Sequence, residues 1–347
     1  MREIRAMAQR IVTVFGGSGF LGRHLIRRLA RTGAVIRVAG RDPEKALFLK
    51  PQGDVGQIVP IAANVTDKDS VAAAVRGADA VVNLTGIISE FGRQTFQRVH
   101  AEGAATVAEA ARDAGVKRLI HVSALGADAQ SPSRYAKTKA AGEDALRKAY
   151  PEATILRPSV MFGPEDRFFN LFAELASFSP WLPVFGCPTL PKITCGGEEN
   201  LCAVDFYGDG GAKFQPVYAG DVAEAIMVCL KKTAAEGKTY ELGGPKVYSF
   251  KAIMELMLAE TERKRLLVPM PFWIGKFIAF FLGLWPKPLL TRDQVTLLEK
   301  DNITGGNTAG FKELGIAPKA AEAVLPTYLG RYRPPGRQTP READAAA

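Results

Sequence analysis

The sequence predicts an α/β protein, a doubly wound parallel sheet with a smaller C-terminal lobe. Three observations predict it. A short apolar strand at 11–15 runs into Gly16, Gly17, Gly19 and Gly22 and directly on into an amphipathic helix. Strand and helix patterns then alternate through the first half of the chain, as in a parallel sheet covered by helices on both faces. After Gly163 the alternation stops, and 180–213 carries proline, glycine and cysteine with little periodicity.

In order, strands are expected at 11–15, 35–39, 58–62, 80–84, 119–122 and 154–156, the last ended by Arg157-Pro158. The first helix places Phe20, Leu21, Leu25, Ile26 and Leu29 on one face. An alanine-rich helix spans about 101–114 and stops at Gly115, and another spans 135–149. The stretch 180–213 reads as a loop or insertion, regular structure returns at 215–230, and a strand follows at 239–242. The tail 331–347, RYRPPGRQTPREADAAA, reads as disordered.

The glycine turn carries the most chemistry. Gly17, Gly19 and Gly22 satisfy G-x-G-x-x-G, and Gly16, Gly19 and Gly22 satisfy the wider G-x-x-G-x-x-G spacing. Between a strand and a helix this is the Rossmann dinucleotide fingerprint. Its glycines permit a tight turn, close approach of a pyrophosphate, and packing of helix on sheet. The phosphates would sit at the helix N-terminus, where free N–H groups and the dipole favour negative charge. Gly16, Gly17, Ser18, Gly19, Phe20, Leu21 and Gly22 are the expected phosphate loop. A Rossmann domain is thus expected over 8–165 with a return segment at 214–245, and a small lobe over 166–213 and 246–330.

Arg41 ends the second strand with no acid before it, and its planar guanidinium suits a 2′-phosphate, so NADP(H) is expected rather than NAD(H). Asp42 would cap the next turn. Asn64 and Val65 follow the third strand and can line an adenine pocket, although Thr66 or Asp67 there also reads as a helix cap. Leu84, Thr85 and Gly86 end the fourth strand beside the same cleft, and Pro158 closes the sixth.

Tyr135 and Lys139 form Y-x-x-x-K at the head of a helix, and residues four apart share a face. A phenol titrates at about 10, too high for acid–base work at neutral pH, and a neighbouring ammonium is expected to lower it. Ser123 ends the fifth strand, where its hydroxyl can hold a carbonyl oxygen. Ser123, Tyr135 and Lys139 are the candidate catalytic residues or, without turnover, cofactor contacts. His24, His100 and His121 stand alone in the sequence, and His121 within a strand reads as a satisfied core residue.

Composition bounds the rest. With 347 residues and 47% hydrophobic content, a large core is available. Four cysteines are too few for a disulfide scaffold, so a reducing compartment is expected. Cys187, Cys195 and Cys202 lie close together but without C-x-x-C pairs or nearby histidines, so no metal is expected. The net charge of +9 is spread over helix faces and suits an anionic membrane surface or an acidic protein partner. No basic stripe interleaved with aromatics appears, so no nucleic acid is expected. The first apolar run is too short for a signal peptide, and Met7 reads as a possible start. No run reaches the roughly 18 apolar residues of a spanning helix. The nearest is 272–285, FWIGKFIAFFLGLW, whose aromatics suit a membrane interface, or the core of the small lobe.

Together, GGSGFLG at 16–22, Ser123, and Tyr135 with Lys139 resemble the extended short-chain dehydrogenase/reductase superfamily. A narrower likeness rests on PQGDVGQ at 51–57, Ser133-Arg134-Tyr135 with KAAGE at 139–143, RPSVMFGPEDRF at 157–168, QPVY at 215–218 and LTRDQV at 290–295. This set, over about 11–332, resembles the nucleotide-binding accessory subunit family of respiratory complex I, alpha-subcomplex subunit nine, in a bacterial version. The resemblance implies a tightly held NADP(H) that stabilises the subunit and is not turned over. It implies docking on the peripheral arm near the quinone-site region and the membrane, on the cytoplasmic face of the inner membrane. By position it implies that Gly16, Gly19 and Gly22 form the phosphate loop, that Arg41 takes the 2′-phosphate, and that Tyr135 and Lys139 face the nicotinamide ribose. The stretch 187–213 is longer than the family pattern.

Two other functions fit the same residues. One is an active NAD(P)-dependent reductase or epimerase, since Ser123, Tyr135 and Lys139 are all retained. The other is a cofactor-sensing regulator that binds a protein partner. The run at 272–285 and the positive charge favour the accessory subunit.

Overall fold

The computed structural model describes residues 10–195, 202–283, 288–306 and 308–335. The chain divides into two compact units, each with its own core. The first comprises Met1–Ser159, Ala219–Gly243 and Thr304–Pro318, and the second Val160–Tyr218, Gly244–Ile303 and Lys319–Ala347.

The first unit alternates β1 (Ile11–Phe15), α1 (Phe20–Ala30), β2 (Val35–Gly40), β3 (Ile58–Ala62), α2 (Lys68–Val75), β4 (Ala80–Asn83), α3 (Gly103–Asp113), β5 (Arg118–Val122), α4 (Arg134–Ala149) and β6 (Thr154–Pro158). The returning stretch adds α5 (Ala219–Lys231) and β7 (Thr239–Leu242). The seven strands form one parallel sheet in the order β7-β6-β5-β4-β1-β2-β3. This is the doubly wound Rossmann arrangement that the alternation predicts, with its order reversing at β1, where such sheets open a ligand crevice at the strands' C-terminal ends.

Composition explains the layering. β1 and β4 are buried on both faces, so they read as unbroken apolar runs rather than alternating ones. α1 turns Leu21, Leu25, Ile26 and Leu29 inward, and α5 packs against it through an apolar stripe that includes Val222 and Ile226. Leu25, Ile26 and Leu29 are each fully buried, which stabilises the fold by roughly 1.5–3 kcal/mol per side chain.

One helix differs from its expected form. Before α3 the chain makes a π-helical stretch, Gln97–Glu102. α4 lies hard against it. A Cβ on Gly142 would stand 2.1 Å from the His100 carbonyl oxygen, so only glycine fits. Ser133 caps α4, accepting from the Ala136 N–H at 3.3 Å.

In the second unit, the stretch 180–213, expected as a loop or an insertion, contains strands among its described residues. Trp181–Phe185 is a strand paired in parallel with Leu266–Met270. Each strand carries a proline, Pro183 and Pro269. These hide the strand signal, and they are tolerated because a two-stranded sheet consists of edges. A two-stranded ribbon, Lys192–Cys195 with Cys202–Asp205, follows. Phe162, Phe169, Phe172, Phe185, Phe214 and Phe250 form the core with edge-to-face rings.

Three boundaries shift. Thr304–Pro318 clusters with the first unit, not the small lobe; the Glu241 N–H donates to the Ala309 carbonyl at 2.9 Å and the Gly305 N–H to Glu241 Oε2 at 3.0 Å. Residues 331–335 of the tail are ordered. Arg331 donates to Asn170 Oδ1 at 2.6 Å, and Arg263 Nε donates to the Tyr332 carbonyl at 2.7 Å; the rest of the tail lies outside the described residues. The segment at 272–285 forms the helix Phe272–Leu282, which packs Phe272, Ile274 and Ile278 against the core of the second unit and leaves Trp273 and Phe277 61% and 64% exposed. Leu284 and Trp285 lie outside the described residues, as does Met7. Among the described residues no helix is long and apolar enough to cross a membrane.

Candidate functional site

The site is built on the C-terminal edge of the sheet in the first unit. The β1–α1 turn is held by two backbone bonds. The Gly16 N–H donates to the Ala39 carbonyl at 3.1 Å, and the Leu84 N–H donates to the Phe15 carbonyl at 3.0 Å. Gly16 has φ of +73°, which a side chain would strain. A Cβ on Gly22 would meet the Gly17 carbonyl oxygen at 2.2 Å, so the first turn of α1 folds directly over the loop. No side chain caps α1 at Gly19, and its first turn holds no acid. The amides of Ser18, Phe20, Leu21 and Gly22 thus surround an electropositive helix end with no carboxylate competing for it.

The other expected contacts line the same edge. Arg41 follows β2, is exposed, and makes no ion pair among the described residues. Asp42 is engaged instead, its Oδ1 accepting from the Glu44 N–H at 3.1 Å and its Oδ2 pairing with Lys45 at 3.3 Å. Beyond β3, Asp67 caps α2, accepting from the Asp69 N–H at 3.2 Å, and Asn64 Oδ1 accepts from the Thr66 N–H at 3.2 Å. The Val65 side chain is core, so only its backbone is placed to meet a ligand. Leu84 and Thr85 are half-buried beyond β4 and Gly86 is exposed; the Thr85 N–H donates to Asn83 Oδ1 at 3.0 Å. Pro158 ends β6, its carbonyl accepting from the Leu125 N–H at 2.9 Å.

Tyr135 and Lys139 share one face of α4. Lys139 is buried and its Nζ donates to the Val122 carbonyl at 3.4 Å, one residue before Ser123. Burial pulls the ammonium down to about 8, against the opposing charge of Glu143. Ser123 is buried, and its Oγ has no partner among the described residues. The expectation that an ammonium lowers the phenol of Tyr135 does not hold. Burial pushes it up to about 12, so the hydroxyl stays protonated and serves as a donor.

Two residues that stand alone in the sequence belong to this cluster. A Cβ on Gly86 would lie 3.4 Å from Lys139 Nζ and 3.8 Å from His100 Nε2, so these groups converge there. His100 Nε2 accepts from the Ile87 N–H at 3.1 Å, which puts the ring proton on Nδ1, 3.2 Å from Thr138 Oγ1. Phe96 stacks on the His100 ring at 5.4 Å, and Tyr135 meets both rings edge-on. His121 is buried too, but it is not the satisfied core residue expected: neither ring nitrogen has a partner among the described residues. Burial first, then the charge of Lys139, holds both histidines down to about 3. No sequence signal marks His100, because the π-helical turn that aims it has no local signature. Among the described residues no cluster of ligating side chains could hold a metal.

The edge fits a dinucleotide. The glycine cradle leaves no room for a Cβ, α1 ends uncapped, Arg41 is open, and the Ser123 hydroxyl is buried and unpartnered. Comparison with known proteins agrees. A model of the NAD dependent epimerase/dehydratase family matches residues 12–243. Across 94% of its length the chain is 36% identical to the NADH dehydrogenase (ubiquinone) 1 alpha subcomplex subunit 9, mitochondrial, of Arabidopsis thaliana, and covers 79% of that protein. The chain belongs to the subunit 9 family and carries the epimerase/dehydratase domain.

The family likeness extends to the NADH-ubiquinone oxidoreductase 40 kDa subunit, mitochondrial, of Neurospora crassa, 33% identical over 96% of this chain and 84% of that one. Among solved structures, DesIV, a dTDP-glucose 4,6-dehydratase from Streptomyces venezuelae, superposes with a TM-score of 0.66 at 20% identity, covering 93% of this chain and 96% of that one. That likeness shows the fold. The subunit 9 likeness spans both units, not the nucleotide domain alone.

Proposed function

We propose that this chain is an accessory subunit of respiratory complex I, NADH:ubiquinone oxidoreductase, that holds NADP(H) as a structural ligand and does not turn it over. The observation that carries the reading is the reach of the subunit 9 likeness, 94% of the chain. Gly16, Gly17, Ser18, Gly19, Phe20, Leu21 and Gly22 hold the pyrophosphate. Arg41 takes the 2′-phosphate and sets NADP(H) above NAD(H). Asn64 with the Val65 backbone, then Leu84, Thr85 and Gly86, line the crevice. Tyr135, Lys139, Ser123 and Pro158 lie on the nicotinamide side.

NADP(H) would supply a hydride donor and acceptor, but the residues around it favour holding. A phenol pushed up to about 12 does not exchange its proton readily near neutral pH. In this reading Tyr135 and Lys139 act as hydrogen-bond donors, and His100 keeps Tyr135 in place.

The second unit is the docking lobe. The helix Phe272–Leu282 presents Trp273, Phe277, Phe280 and Phe281 to solvent, with the Arg292 guanidinium over the Phe280 ring at 5.9 Å and Lys276 paired with Glu299 at 2.6 Å. Rings with flanking cations suit the headgroup level of an anionic membrane. The partners are peripheral-arm and membrane-junction subunits, on the cytoplasmic face of the inner membrane. The test is to tag the chromosomal copy, solubilise membranes gently and separate complexes by size. Co-migration with NADH:quinone oxidoreductase activity supports the assignment, and migration only as a free chain overturns it.

A further inference from the structure

In the first unit, the end of the sheet opposite the glycine turn carries a cleft that holding a nucleotide does not use. Strands β1, β4 and β5 begin here. The Asp79 N–H donates to the Ile11 carbonyl at 2.9 Å, and the Lys117 N–H donates to the Asp79 carbonyl at 3.1 Å. The cleft has a volume of about 280 Å³, the scale of a small-ligand site. Its floor is apolar, made by Val12 of β1, Ala80 of β4 and Leu230 of α5, all buried. Its walls are charged, with Arg10, Lys117, Arg118 and Lys231 set among two carboxylates, Asp79 and Glu236.

Both carboxylates are already engaged. Asp79 Oδ2 accepts from the Ile11 N–H at 2.9 Å. Glu236 pairs with Arg118, whose Nη2 also donates to Thr233 Oγ1 at 2.9 Å. The Arg118 guanidinium is therefore fixed at the wall before any ligand arrives. Lys231 ends α5 and offsets the negative pole of that helix. Arg10, Lys117 and Lys231 are exposed, and their side chains make no hydrogen bond or ion pair among the described residues.

Four cations against two carboxylates leave the cleft a surplus of two positive charges. A dianion cancels that surplus, whereas a single carboxylate cancels half of it. The apolar floor keeps water from one side, which strengthens the pull of each charge. No aromatic ring lines the cleft to suit a bilayer boundary. We propose that this cleft binds the phosphoryl dianion of a small ligand, either inorganic phosphate or a phosphate monoester. A phosphoryl group carries close to two negative charges at neutral pH. Arg10, Lys117 and Lys231 act as point charges around its oxygens, and the floor of Val12, Ala80 and Leu230 takes the alkyl part of an ester. The proposal is independent of the nucleotide reading.

The test is calorimetric titration of the purified full-length chain with inorganic phosphate and with propyl phosphate, at an ionic strength held constant with chloride, with and without saturating NADPH. A phosphate site that persists under NADPH is expected. Removing two exposed side chains together, Lys117→Ala with Lys231→Ala, should leave the melting temperature unchanged and weaken phosphate roughly tenfold. Asp79→Asn keeps an acceptor for the Ile11 N–H and adds one to the positive surplus. It should tighten phosphate several-fold, a gain that misfolding does not produce. Tighter binding of propyl phosphate supports the proposal with an ester as ligand, and equal or weaker binding supports it with free phosphate. The proposal is overturned if phosphate gives no heat beyond the chloride control, if NADPH abolishes the binding, if the double lysine variant binds phosphate as the native chain does, or if Asp79→Asn fails to tighten it.

Discussion

His100 and Tyr135 meet edge to face, with ring centroids 5.2 Å apart and planes at 87°. The contact joins a π-helical turn to the head of α4, and the backbone bond from Ile87 fixes which nitrogen of His100 carries the proton. The hydrogen bond that aims the His100 ring therefore depends on a neutral imidazole. It gives the site a pH dependence and a structural weak point, both open to measurement.

The pH dependence has a definite sign. His100 and His121 are held down to about 3 in the folded chain, chiefly by burial, whereas unfolded histidine titrates at about 6.5. Below that value the unfolded state binds protons first, so stability is complete above it and falls as the pH drops from it towards 3. Each histidine costs at most about 1.4 kcal/mol per pH unit in that window. Denaturant unfolding at pH 7.5, 6 and 5 should show the loss, and His121→Phe should flatten the slope. A pH-independent midpoint over this range would contradict the account.

The weak point is Gly142. Its added Cβ in Gly142→Ala would press on the His100 carbonyl oxygen from 2.1 Å, against backbone that cannot rotate away. We expect a loss of at least about 1–3 kcal/mol in stability. Where the variant still folds, weaker nucleotide binding is expected, because the displaced turn carries the ring that packs on Tyr135. Calorimetry with and without NADPH measures both, and a wild-type melting temperature would count against the packing described.

Arg41→Ala tests the ribose end. The guanidinium is exposed and without an ion pair among the described residues, so its loss should leave stability nearly unchanged. NADPH affinity should fall by roughly 10–100-fold, the value of a charge-assisted phosphate contact, while NADH affinity stays within about twofold. Equal losses for both nucleotides would place the 2′-phosphate elsewhere.

Flotation with anionic liposomes tests the docking lobe. Phe277 and Phe281 meet edge to face, ring centroids 5.1 Å apart, on the exposed face of their helix. The double variant Phe277→Glu, Phe281→Glu should therefore fold yet remain at the bottom of the gradient, while the native chain rises. If both behave alike, the aromatic face contacts protein alone.

Much of this was legible because it is local. The glycine cradle, Arg41 and the Tyr135–Lys139 pair each lie within a few consecutive residues, where spacing alone fixes geometry. The parts not legible are long-range or irregular. His100 and Lys139 meet only because a π-helical turn and Gly142 bring them together. The strand Trp181–Phe185 was hidden by Pro183 and is defined by a partner 85 positions on, as Leu266 opposite Trp181 shows. The elevated phenol of Tyr135 follows from burial, which a four-residue motif does not report.

The most direct measurement is the nucleotide content of the subunit isolated within its complex, before and after sustained NADH turnover. Denaturation and chromatography should release one NADP(H) per chain in both samples, and Tyr135→Phe, which keeps the ring and removes only the hydroxyl, should release the same amount. No nucleotide, NAD(H) alone, or a Tyr135-dependent change in its redox state with turnover would contradict a structural NADP(H).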